Sequence, residues 1–541
     1  MPITAYFRIF IFLCAIVSCS NPTNESNTIP IWRANIRYNN LSSNFQKVGL
    51  TKNDKTRHLK IKHKDNNLKV KCKKSDLLYK KKISQLKKLS TDKDKVLSEQ
   101  FSILQKKLKE EGLIGLKTKF VNIKFEDKLI SYLFLEGKDK RLIESNKRRE
   151  GKIYDLKTVN NLNLKVSKTC WLDFKLSLEK YNWNEKSQIV FYHNPITYLC
   201  EPILLDYNNE KSQFVDKIEI DNVLSNSHYS MLQIEKYFNL QGDSLILKSS
   251  IKNISEGVII PRGYKVFMAN HKSLNLTDSS YIWSYSPIQI GSFDSGTILF
   301  SSSDQSSKGI HVICTNDTSY LINATFENLN PFNNKTHSLP SCITFYESPV
   351  KLENVCLKDF QGEDMLNIFR SDFSIKNSSF HNSFSDQLDL DFSNGLCTNN
   401  KFNNSGNDAI DASGSIIKIL NCTFNQTEDK AISAGEKSVL TLKNCTINKS
   451  SLAFTSKDKS KIEVNNCFVD SVEVVFCAFQ KKAEYGPSSI IAKSIQLGFY
   501  KEHHLIEAES KLSIDGKTIQ GKTDQVKKYL YGNEYGKKTV K

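Results

Sequence analysis

Residues 399–424 read NNKFNNSGNDAIDASGSIIKILNCTF, and the phrase Asn-x-x-apolar occurs at both ends of this stretch. The same phrase occurs six times along the chain, at spacings of 21 to 23 residues, with its asparagines at Asn354, Asn377, Asn399, Asn421, Asn444 and Asn465. A second, apolar column keeps a constant spacing of 22 residues through Leu366, Leu388, Ile410, Ile432 and Phe454. Six matches at so narrow a period indicate an internal repeat of about 22 residues.

A repeat of this length and composition predicts a β-solenoid. A coil of about 22 residues holds about three short strands, and coils stacked about 4.8 Å apart place like residues over like. Leucine-rich repeats have a similar length, but Ser, Asn and Asp separate the strands here, which leaves no room for a helical half. We place the solenoid at residues 258–495, with its clearest register from about residue 342, and a capping segment at 496–541.

The first 18 residues resemble a secretory signal peptide. Arg8 precedes an apolar run that is too short to span a bilayer. The run ends in Ile-Val-Ser followed by Cys19, which matches the bacterial lipobox, in which the cysteine accepts a diacylglycerol. An ordinary signal peptide beside a cysteine is the alternative. We predict lipidation at Cys19, a linker over residues 19–45, and an anchor in the outer or cytoplasmic membrane of a bacterial cell envelope.

The formal net charge of +18 raises the question of nucleic-acid binding. Residues 52–88 carry 15 Lys or Arg against 3 Asp, but without the interleaved aromatic residues that stack on bases. An exported lipoprotein also has little access to nucleic acid. We therefore predict no nucleic-acid partner and interpret the charge as a solvated basic face, with attraction to anionic lipid or acidic polysaccharide as the alternative.

Outward positions of the predicted strands carry a mostly acidic strip, which is the candidate binding site. Its members are Asn367, Asp386, Asp389, Asp391, Asp408, Asp411, Lys457 and Asp458. Carboxylates stacked one coil apart raise each other's pKa or bind a cation such as Ca²⁺ or Mg²⁺, although the spacing defines no particular metal site. Polar residues are also what any outward wall position carries. Asp389, Asp411 and Lys430 are the candidates for acid–base cleavage of a sugar.

The motifs of β-helix enzymes are largely missing. The run Asn407-Asp408-Ala409-Ile410-Asp411 is similar to the paired aspartates of pectin-hydrolase-like enzymes, but their Gly-His-Gly and Arg-x-Lys motifs are absent. Alginate- and chondroitin-lyase-like enzymes need a Lys and Arg pair, and here Arg370 lies almost three coils before Lys430. The sequence therefore favours binding over catalysis on this wall.

Two stretches of the front half resemble the spore-coat CotH kinase-like family. The first runs from Glu111-Gly112-Leu113-Ile114 to Arg148-Arg149-Glu150-Gly151, and the second is Phe191-Tyr192-His193-Asn194-Pro195-Ile196-Thr197 with Glu201. The resemblance covers about residues 80–210 and implies an α+β domain, which we place at residues 46–257. It also implies that Glu136 is the acidic partner in nucleotide binding and that Asp206 is a magnesium ligand.

The catalytic-loop residues of that family are missing from this chain. Residues 183–188 contain no Asp or His, and Asp206 is followed by Tyr207-Asn208-Asn209 where a second Asp is expected. We interpret the front half as a degenerate relative without activity. The rear half resembles bacterial right-handed parallel β-helix proteins with the pectin lyase-like fold, and the run at residues 405–415 is typical of them.

The sequence thus predicts a cell-envelope lipoprotein with an α+β N-terminal domain followed by an all-β right-handed parallel β-helix. The β-helix would bind a glycan or an envelope protein without catalysis. A polysaccharide lyase or hydrolase acting on the same face is the alternative, and an active CotH-like protein kinase is a further one.

Overall fold

The computed structural model describes most of the chain in a series of ranges: 31–34, 46–52, 55–64, 67–71, 83–137, 140–183, 187–207, 220–221, 231–269, 272–294, 296–333, 338–482, 485–521, 526 and 530. The predicted signal peptide and Cys19 lie outside these ranges. The described residues form two compact units, one within 1–71, 83–102 and 118–135, and the other within 72–82, 103–117 and 136–541.

The first unit is a closed barrel with the strand order β1-β2-β3-β4-β5-β7-β6. All neighbours pair antiparallel except β1 and β6, which are parallel. The strands are β1 (Ile31–Ala34), β2 (Gln46–Lys52), β3 (Lys55–Lys64), β4 (Asn67–Lys71), β5 (Ile83–Lys88), β6 (Thr118–Lys124) and β7 (Leu129–Leu135). The β6–β7 hairpin matches the strand pair in the CotH-like stretch.

The helices are short apart from α1. They are α1 (Asp92–Glu110), α2 (Lys140–Ser145), α3 (Leu156–Asn161), α4 (Lys168–Lys180) and α5 (Met231–Tyr237). Thr91 and Asp94 form a capping box at the start of α1, with Thr91 Oγ1 accepting from Asp94 N at 3.1 Å and Asp94 Oδ2 accepting from Thr91 N at 3.0 Å. Within the described ranges, no helix combines the length and apolar character that crossing a membrane requires.

The front part of the second unit is a five-stranded sheet with the order β12-β9-β11-β10-β8. Its strands are β8 (Ile153–Asp155), β9 (Val166–Ser167), β10 (Ser187–His193), β11 (Cys200–Tyr207) and β12 (Ile220–Asp221). The prediction of a front region that mixes helices and strands is confirmed.

The rest of the second unit is a β-solenoid of about 11 turns. Its strands are β13 (Phe238–Gln241), β14 (Ser244–Leu247), β15 (Asn253–Ile254), β16 (Gly257–Ile260), β17 (Lys265–Met268), β18 (Ser273–Leu276), β19 (Tyr281–Ser284), β20 (Ile288–Ile290), β21 (Ile298–Ser301), β22 (Ile310–Ile313), β23 (Ser319–Glu327), β24 (Ser341–Tyr346), β25 (Val350–Phe360), β26 (Asp364–Phe369), β27 (Asp372–Lys376), β28 (Ser379–Ser383), β29 (Asp386–Asp391), β30 (Asn394–Thr398), β31 (Lys401–Ser405), β32 (Ile410–Ser413), β33 (Ile416–Leu420), β34 (Thr423–Gly435), β35 (Val439–Lys443), β36 (Thr446–Lys457), β37 (Lys461–Asn465), β38 (Phe468–Phe479), β39 (Ser489–Lys493), β40 (Gln496–Leu497), β41 (Tyr500–Ile506), β42 (Lys511–Ile514) and β43 (Lys517–Gln520).

The parallel ladders stack these strands into three walls. The third wall carries the candidate site and consists of β16, β19, β22, β24, β26, β29, β32, the second halves of β34, β36 and β38, and β41. Parallel pairing begins with β14 on β17, before the predicted start at residue 258, and continues through β41 and β42, beyond the predicted end at residue 495. The antiparallel pair β42–β43 closes the stack.

Apolar columns fill the inside of the solenoid. The predicted column Leu366, Leu388, Ile410, Ile432 and Phe454 points inward, and each member has 0% of its surface exposed. On the second wall the rings of Phe380, Phe402 and Phe424 stack at centroid distances of 4.7 and 4.9 Å. Successive coils therefore place equal side chains in contact, which is what the repeat predicts.

The asparagine column forms an amide ladder at one bend. Asn421 Nδ2 donates to Asn399 Oδ1 at 3.2 Å, and Asn444 Nδ2 donates to Asn421 Oδ1 at 3.1 Å. The ladder ends at Asn466, whose Nδ2 donates to Asn444 Oδ1 at 2.8 Å and whose φ of 51° is left-handed like that of the other members. The choice of Asn465 as the sixth member was therefore wrong by one residue, because two asparagines are adjacent there.

Candidate functional site

A column of polar side chains runs along the outside of the third wall. Strand register stacks Thr344, Asn367, Asp389, Asp411, Ser433 and Thr455, which we call the polar column. These residues alternate with the inward apolar column, as the period of a strand requires. However, Asn367, Ser433 and Thr455 each have 0% of their surface exposed, and Thr344 has 1%. The column faces outward but is covered.

Part of the cover comes from the front segment, which is the name we give to the described residues of 140–207. Asn194 Nδ2 donates to the Tyr346 hydroxyl at 3.0 Å. Ile196 packs into an apolar cluster with residues on or beside the wall: Trp283, Ile313, Phe332, Leu339, Tyr346 and Phe369. Further along, Lys482 Nζ lies 3.4 Å from Glu144 Oε1 and also pairs with Glu436. The predicted acidic strip therefore lies on a wall that is partly covered, and its role in binding stays a prediction.

A buried ion pair fixes the front segment. Arg148 Nη2 lies 2.7 Å from Glu201 Oε2, and Arg148 Nε donates to the same oxygen at 2.8 Å. The two side chains are only 5% and 9% exposed. Asn194 Nδ2 reaches Glu201 Oε1 at 3.4 Å, so the pair connects through Asn194 to Tyr346 on the wall. In the sequence, Arg148, Asn194 and Glu201 indicated only the resemblance to the CotH-like family. Their role in fixing the front segment was missed.

Asp386 and Asp408 of the predicted strip are structural. Asp386 Oδ1 accepts from Asp408 N at 2.8 Å and from Asn407 Nδ2 at 2.7 Å. Asp408 Oδ1 accepts from Lys430 N at 3.1 Å and from Lys430 Nζ at 3.2 Å. Each carboxylate thus bonds the backbone of the next coil, and both side chains are buried. The wall fold accounts for both side chains, and their role in binding stays a prediction.

The catalytic candidate Lys430 and two other members of the strip are also buried. Lys430 is 5% exposed and pairs with both Asp408 and Asp429, so its ammonium is already held by two carboxylates. Asp458 is 1% exposed, accepts from Lys482 N and occupies a turn with a φ of 55°. Lys457 is also buried, at 6% exposed. The wall fold explains Lys430 and Asp458 without a ligand.

Asp389, Asp391 and Asp411 retain partial contact with solvent. Asn367 Nδ2 donates to Asp389 Oδ2 at 2.8 Å and to Asp391 Oδ2 at 3.3 Å. Asp411 Oδ1 lies 3.6 Å from Lys457 Nζ. The structure therefore joins Asn367, Asp389 and Asp391 by hydrogen bonds. It also places the Lys457 ammonium beside Asp411.

The environments of these carboxyls differ sharply. Burial, reinforced by Asp391, raises the pKa of Asp389 well above its usual range. Burial also raises the pKa of Asp391, to about 6. Burial acts on Asp411 in the same direction, but the Lys457 ammonium, Ser433 and Lys430 outweigh it and lower the pKa of Asp411. The two stacked carboxyls, Asp389 and Asp411, therefore have pKa values shifted in opposite directions.

Two polar atoms of the column, Asn367 Oδ1 and Thr455 Oγ1, are buried without a hydrogen-bond partner. A buried polar atom without a partner costs about 1–3 kcal/mol. Asp411 Oδ1, in contrast, is held by the Lys457 ammonium.

The two residues implied by the CotH resemblance lie in the front part. Glu136 follows β7 and is 3% exposed, with Oε2 accepting from Lys117 N at 3.0 Å and Oε1 lying 3.9 Å from Lys117 Nζ. Asp206 is partly buried in β11 opposite Gln188. Among the described residues, no three His, Cys, Asp or Glu side chains are placed to share a metal ion. Nucleotide binding at Glu136 and magnesium binding at Asp206 stay predictions.

The buried Asp364 carboxyl should make the stability of the fold fall as pH rises. Burial raises the pKa of Asp364, below Asp386 in the stack, to about 8, with Glu363 and Asp391 adding to the effect and Arg149 opposing it. In the unfolded chain the same group titrates near pH 4. Between about pH 4 and pH 8 the folded state therefore binds more protons than the unfolded state, and the stability contributed by protonated Asp364 is lost as pH rises.

Asp364→Asn is thus expected to gain stability relative to the unaltered chain between pH 5 and pH 8, measured as the midpoint of urea unfolding. The exposed Asp372 provides the matched control. Asp372→Asn should track the unaltered chain at both pH values. An unchanged difference between Asp364→Asn and the unaltered chain across this window would contradict the assignment.

The family model of the right-handed β-helix region matches residues 341–485. The predicted right-handed parallel β-helix is confirmed. Among solved structures, the periplasmic alginate epimerase AlgG is similar at 10% identity and a TM-score of 0.30, over 52% of this chain and 80% of that chain. The catalytic domain of a GH87 alpha-1,3-glucanase in complex with nigerose is similar at 10% identity and a TM-score of 0.23, over 59% and 75%. No curated protein matches.

Proposed function

We propose that this chain is a lipid-anchored protein of the bacterial cell envelope that binds a glycan along the polar column. The observation that supports the proposal is the group of partly exposed carboxyls at Asp389, Asp391 and Asp411, the first two of which accept from Asn367 Nδ2. Sugar hydroxyl groups donate and accept hydrogen bonds, so they suit a column that presents acceptors together with hydroxyl donors. The fold supplies these groups at a regular spacing.

The covered ends of the wall favour a short ligand. Ile196 covers the wall near Tyr346 and Phe369, and Val526 and Leu530 pack against the wall at the other end, beside Leu452, Val474 and Phe479. The column from Asn367 to Thr455 spans about 19 Å, since neighbouring strands lie about 4.8 Å apart. A long polysaccharide lying along the whole wall would clash with both covers.

The partly exposed Asp391 carboxyl tests this proposal. Asp391→Ala removes an acceptor for sugar hydroxyl groups, so the variant should bind a recognised glycan about 10-fold more weakly. The measurements are a glycan array with the full chain in detergent, followed by calorimetric titration.

Asp372 is exposed on a different wall of the solenoid and provides the matched control. Asp372→Ala should keep the affinity of the unaltered chain. If the array shows no glycan bound by the unaltered chain, or if Asp391→Ala leaves the affinity for a bound glycan intact, the proposal is overturned. For the anchor, labelled palmitate that is still incorporated by Cys19→Ser would contradict attachment at Cys19.

A second candidate function is hydrolysis of the bound glycan, and the opposite pKa shifts of Asp389 and Asp411 favour it. The pair stacks one coil apart, about 4.8 Å between strands, which is close to the carboxyl separation of about 5 to 5.5 Å in retaining glycosidases. Asp389 would protonate the leaving oxygen as the glycosidic bond breaks, while ionised Asp411 attacks the sugar carbon and forms a glycosyl ester. Water activated by Asp389 would then hydrolyse this ester and release Asp411.

Hydrolysis makes a separate prediction. Asp389→Asn and Asp411→Asn should each lower turnover of a bound oligosaccharide by about 100-fold or more. Reducing ends released over time are the readout, with Asp372→Asn as the control that should keep full turnover. Tight binding without any release by the unaltered chain would leave binding as the function and exclude hydrolysis.

A further inference from the structure

Three cysteines are stacked at one bend of the solenoid. Cys422, Cys445 and Cys467 are buried, and all three are free thiols. Register on both sides of the bend stacks Cys467 on Cys445, because β35 pairs with β37 and β36 with β38 at the same offset of 22 residues. Neighbouring strands lie about 4.8 Å apart, and a disulfide spans Cα atoms about 4.4–6.8 Å apart. The backbone therefore already has the spacing that a disulfide requires.

The Cys445 and Cys467 residues are also in direct contact. Cys445 N donates to Cys467 Sγ at 3.4 Å, so the sulfur of one coil points back at the cysteine of the coil before it. A hydrogen bond from the Cys445 thiol lowers the pKa of Cys467 and outweighs the opposing effect of burial. A lower pKa makes a thiol the more reactive partner in exchange with a disulfide. Of the two sulfurs, Cys467 is thus the better nucleophile.

Hydrogen bonding at this bend does not by itself call for sulfur. Ser378 and Asn400 hold the same position in earlier coils, where Ser378 N donates to Asn400 Oδ1 at 2.8 Å and Val355 N donates to Ser378 Oγ at 3.1 Å. Sulfur is a weak acceptor, so a serine would serve the bend at least as well. Cysteines stacked in contact on successive coils therefore add a redox chemistry that the earlier coils lack.

A recess of about 290 Å³ reaches this pair from the surface. Its lining includes Cys445, Cys467, Thr446, Phe468 and Gln496. Phe468 is 41% exposed, so the recess opens to solvent. The volume is close to that of the smallest ligand pockets, about 300 Å³. A small thiol reagent can therefore approach the two sulfurs without unfolding of the coil.

We propose that Cys445 and Cys467 form a reversible disulfide between two coils, and that the oxidant is a low-molecular-weight disulfide that enters the recess. Cys467, as the thiolate, attacks one sulfur of the oxidant, and the other half of the oxidant leaves as a thiolate. Cys445 gives its proton to water and attacks the Cys467 sulfur of this mixed disulfide, which releases the second half. Two thiols of the chain are oxidised, and the oxidant is reduced to two thiols.

The test treats the full chain in detergent with an excess of glutathione disulfide, blocks the remaining thiols with iodoacetamide and maps the peptides by mass spectrometry. The unaltered chain should give a peptide pair joined through Cys445 and Cys467, and a reductant should separate it. Cys445→Ser should instead keep glutathione on Cys467, whereas Cys467→Ser should leave Cys445 as a thiol. Cys422→Ser is the matched control and should form the same link as the unaltered chain.

Urea unfolding provides a second readout. Oxidation should raise the midpoint of unfolding, because a disulfide that closes a loop restricts the unfolded chain. The rise should persist in Cys422→Ser and be absent in Cys445→Ser and Cys467→Ser. All three variants should fold, since Ser378 occupies the same position in an earlier coil. The absence of a link in the oxidised unaltered chain, or a link from Cys422 to Cys445, overturns the proposal. Glutathione held on Cys445 in Cys467→Ser overturns the order of attack.

Discussion

Replacing Glu201 with glutamine is expected to destabilise the second unit by about 3–5 kcal/mol, because it leaves the Arg148 charge buried without a counter-ion. The two side chains are 5% and 9% exposed, so water cannot screen the loss. Arg148 also donates to the backbone carbonyls of Asn146 at 3.1 Å and Gly112 at 2.8 Å, which hold the guanidinium in place after the carboxylate is gone. The measurement is urea unfolding followed by circular dichroism.

The matched control is an exposed ion pair on the solenoid. Lys501 Nζ lies 2.9 Å from Glu473 Oε1, with side chains 61% and 33% exposed. Glu473→Gln should therefore cost no more than about 1 kcal/mol. The double variant Arg148→Met with Glu201→Leu should recover much of the stability, since it removes both charges together. A cost below 1 kcal/mol for Glu201→Gln would show that the pair does not hold the segment.

The second large effect is expected in the core of the solenoid. Phe402 is 1% exposed and stacks between Phe380 and Phe424 at 4.7 and 4.9 Å. Phe402→Ala removes both ring contacts and leaves a cavity that strand pairing on either side prevents from closing. We expect a loss of about 3–5 kcal/mol, seen as a lower midpoint of urea unfolding.

Phe384 follows strand β28 of the same wall, but 58% of its surface is exposed, so it is the matched control. Phe384→Ala should shift the stability by no more than about 0.5 kcal/mol. Equal shifts in the two variants would mean that the phenylalanine stack is not part of the unfolding core. A loss for Phe402→Ala that spreads over two transitions would show that the coils on either side unfold independently.

The repeat was readable from sequence because its signal is periodic and local. The inward column from Leu366 to Phe454 is buried as predicted, since a coil of constant length must return an apolar residue to the same place. A serine ladder was missed, in which Ser371 N donates to Ser393 Oγ at 3.2 Å and Ser393 N donates to Ser415 Oγ at 2.9 Å. Its 22-residue spacing was visible, but serine is common enough in loops to hide it.

The predicted asparagine column differs from the observed one only at its sixth member, where the sequence offers two adjacent asparagines. Asn465 and Asn466 are adjacent, and only the bend geometry selects Asn466, because its left-handed φ and amide bond continue the ladder. Phe468 is accordingly 41% exposed, while Val469 at 1% fills the inward column. The chain bounds of the solenoid were similarly decided by strand pairing at β14 and β41, where the repeat is too irregular to recognise.

The sequence by itself determined the solenoid, its inward columns and the polar character of one outward wall. Only the tertiary structure decided that this wall is covered, that Asp386 and Asp408 bond backbone, and that Arg148 pairs with Glu201. The contact between Asn194 and Tyr346 joins residues 152 positions apart. Periodicity reports which side of a strand faces the core, but it carries no information about which distant segment packs on the other side, because that choice depends on surfaces that exist only after folding.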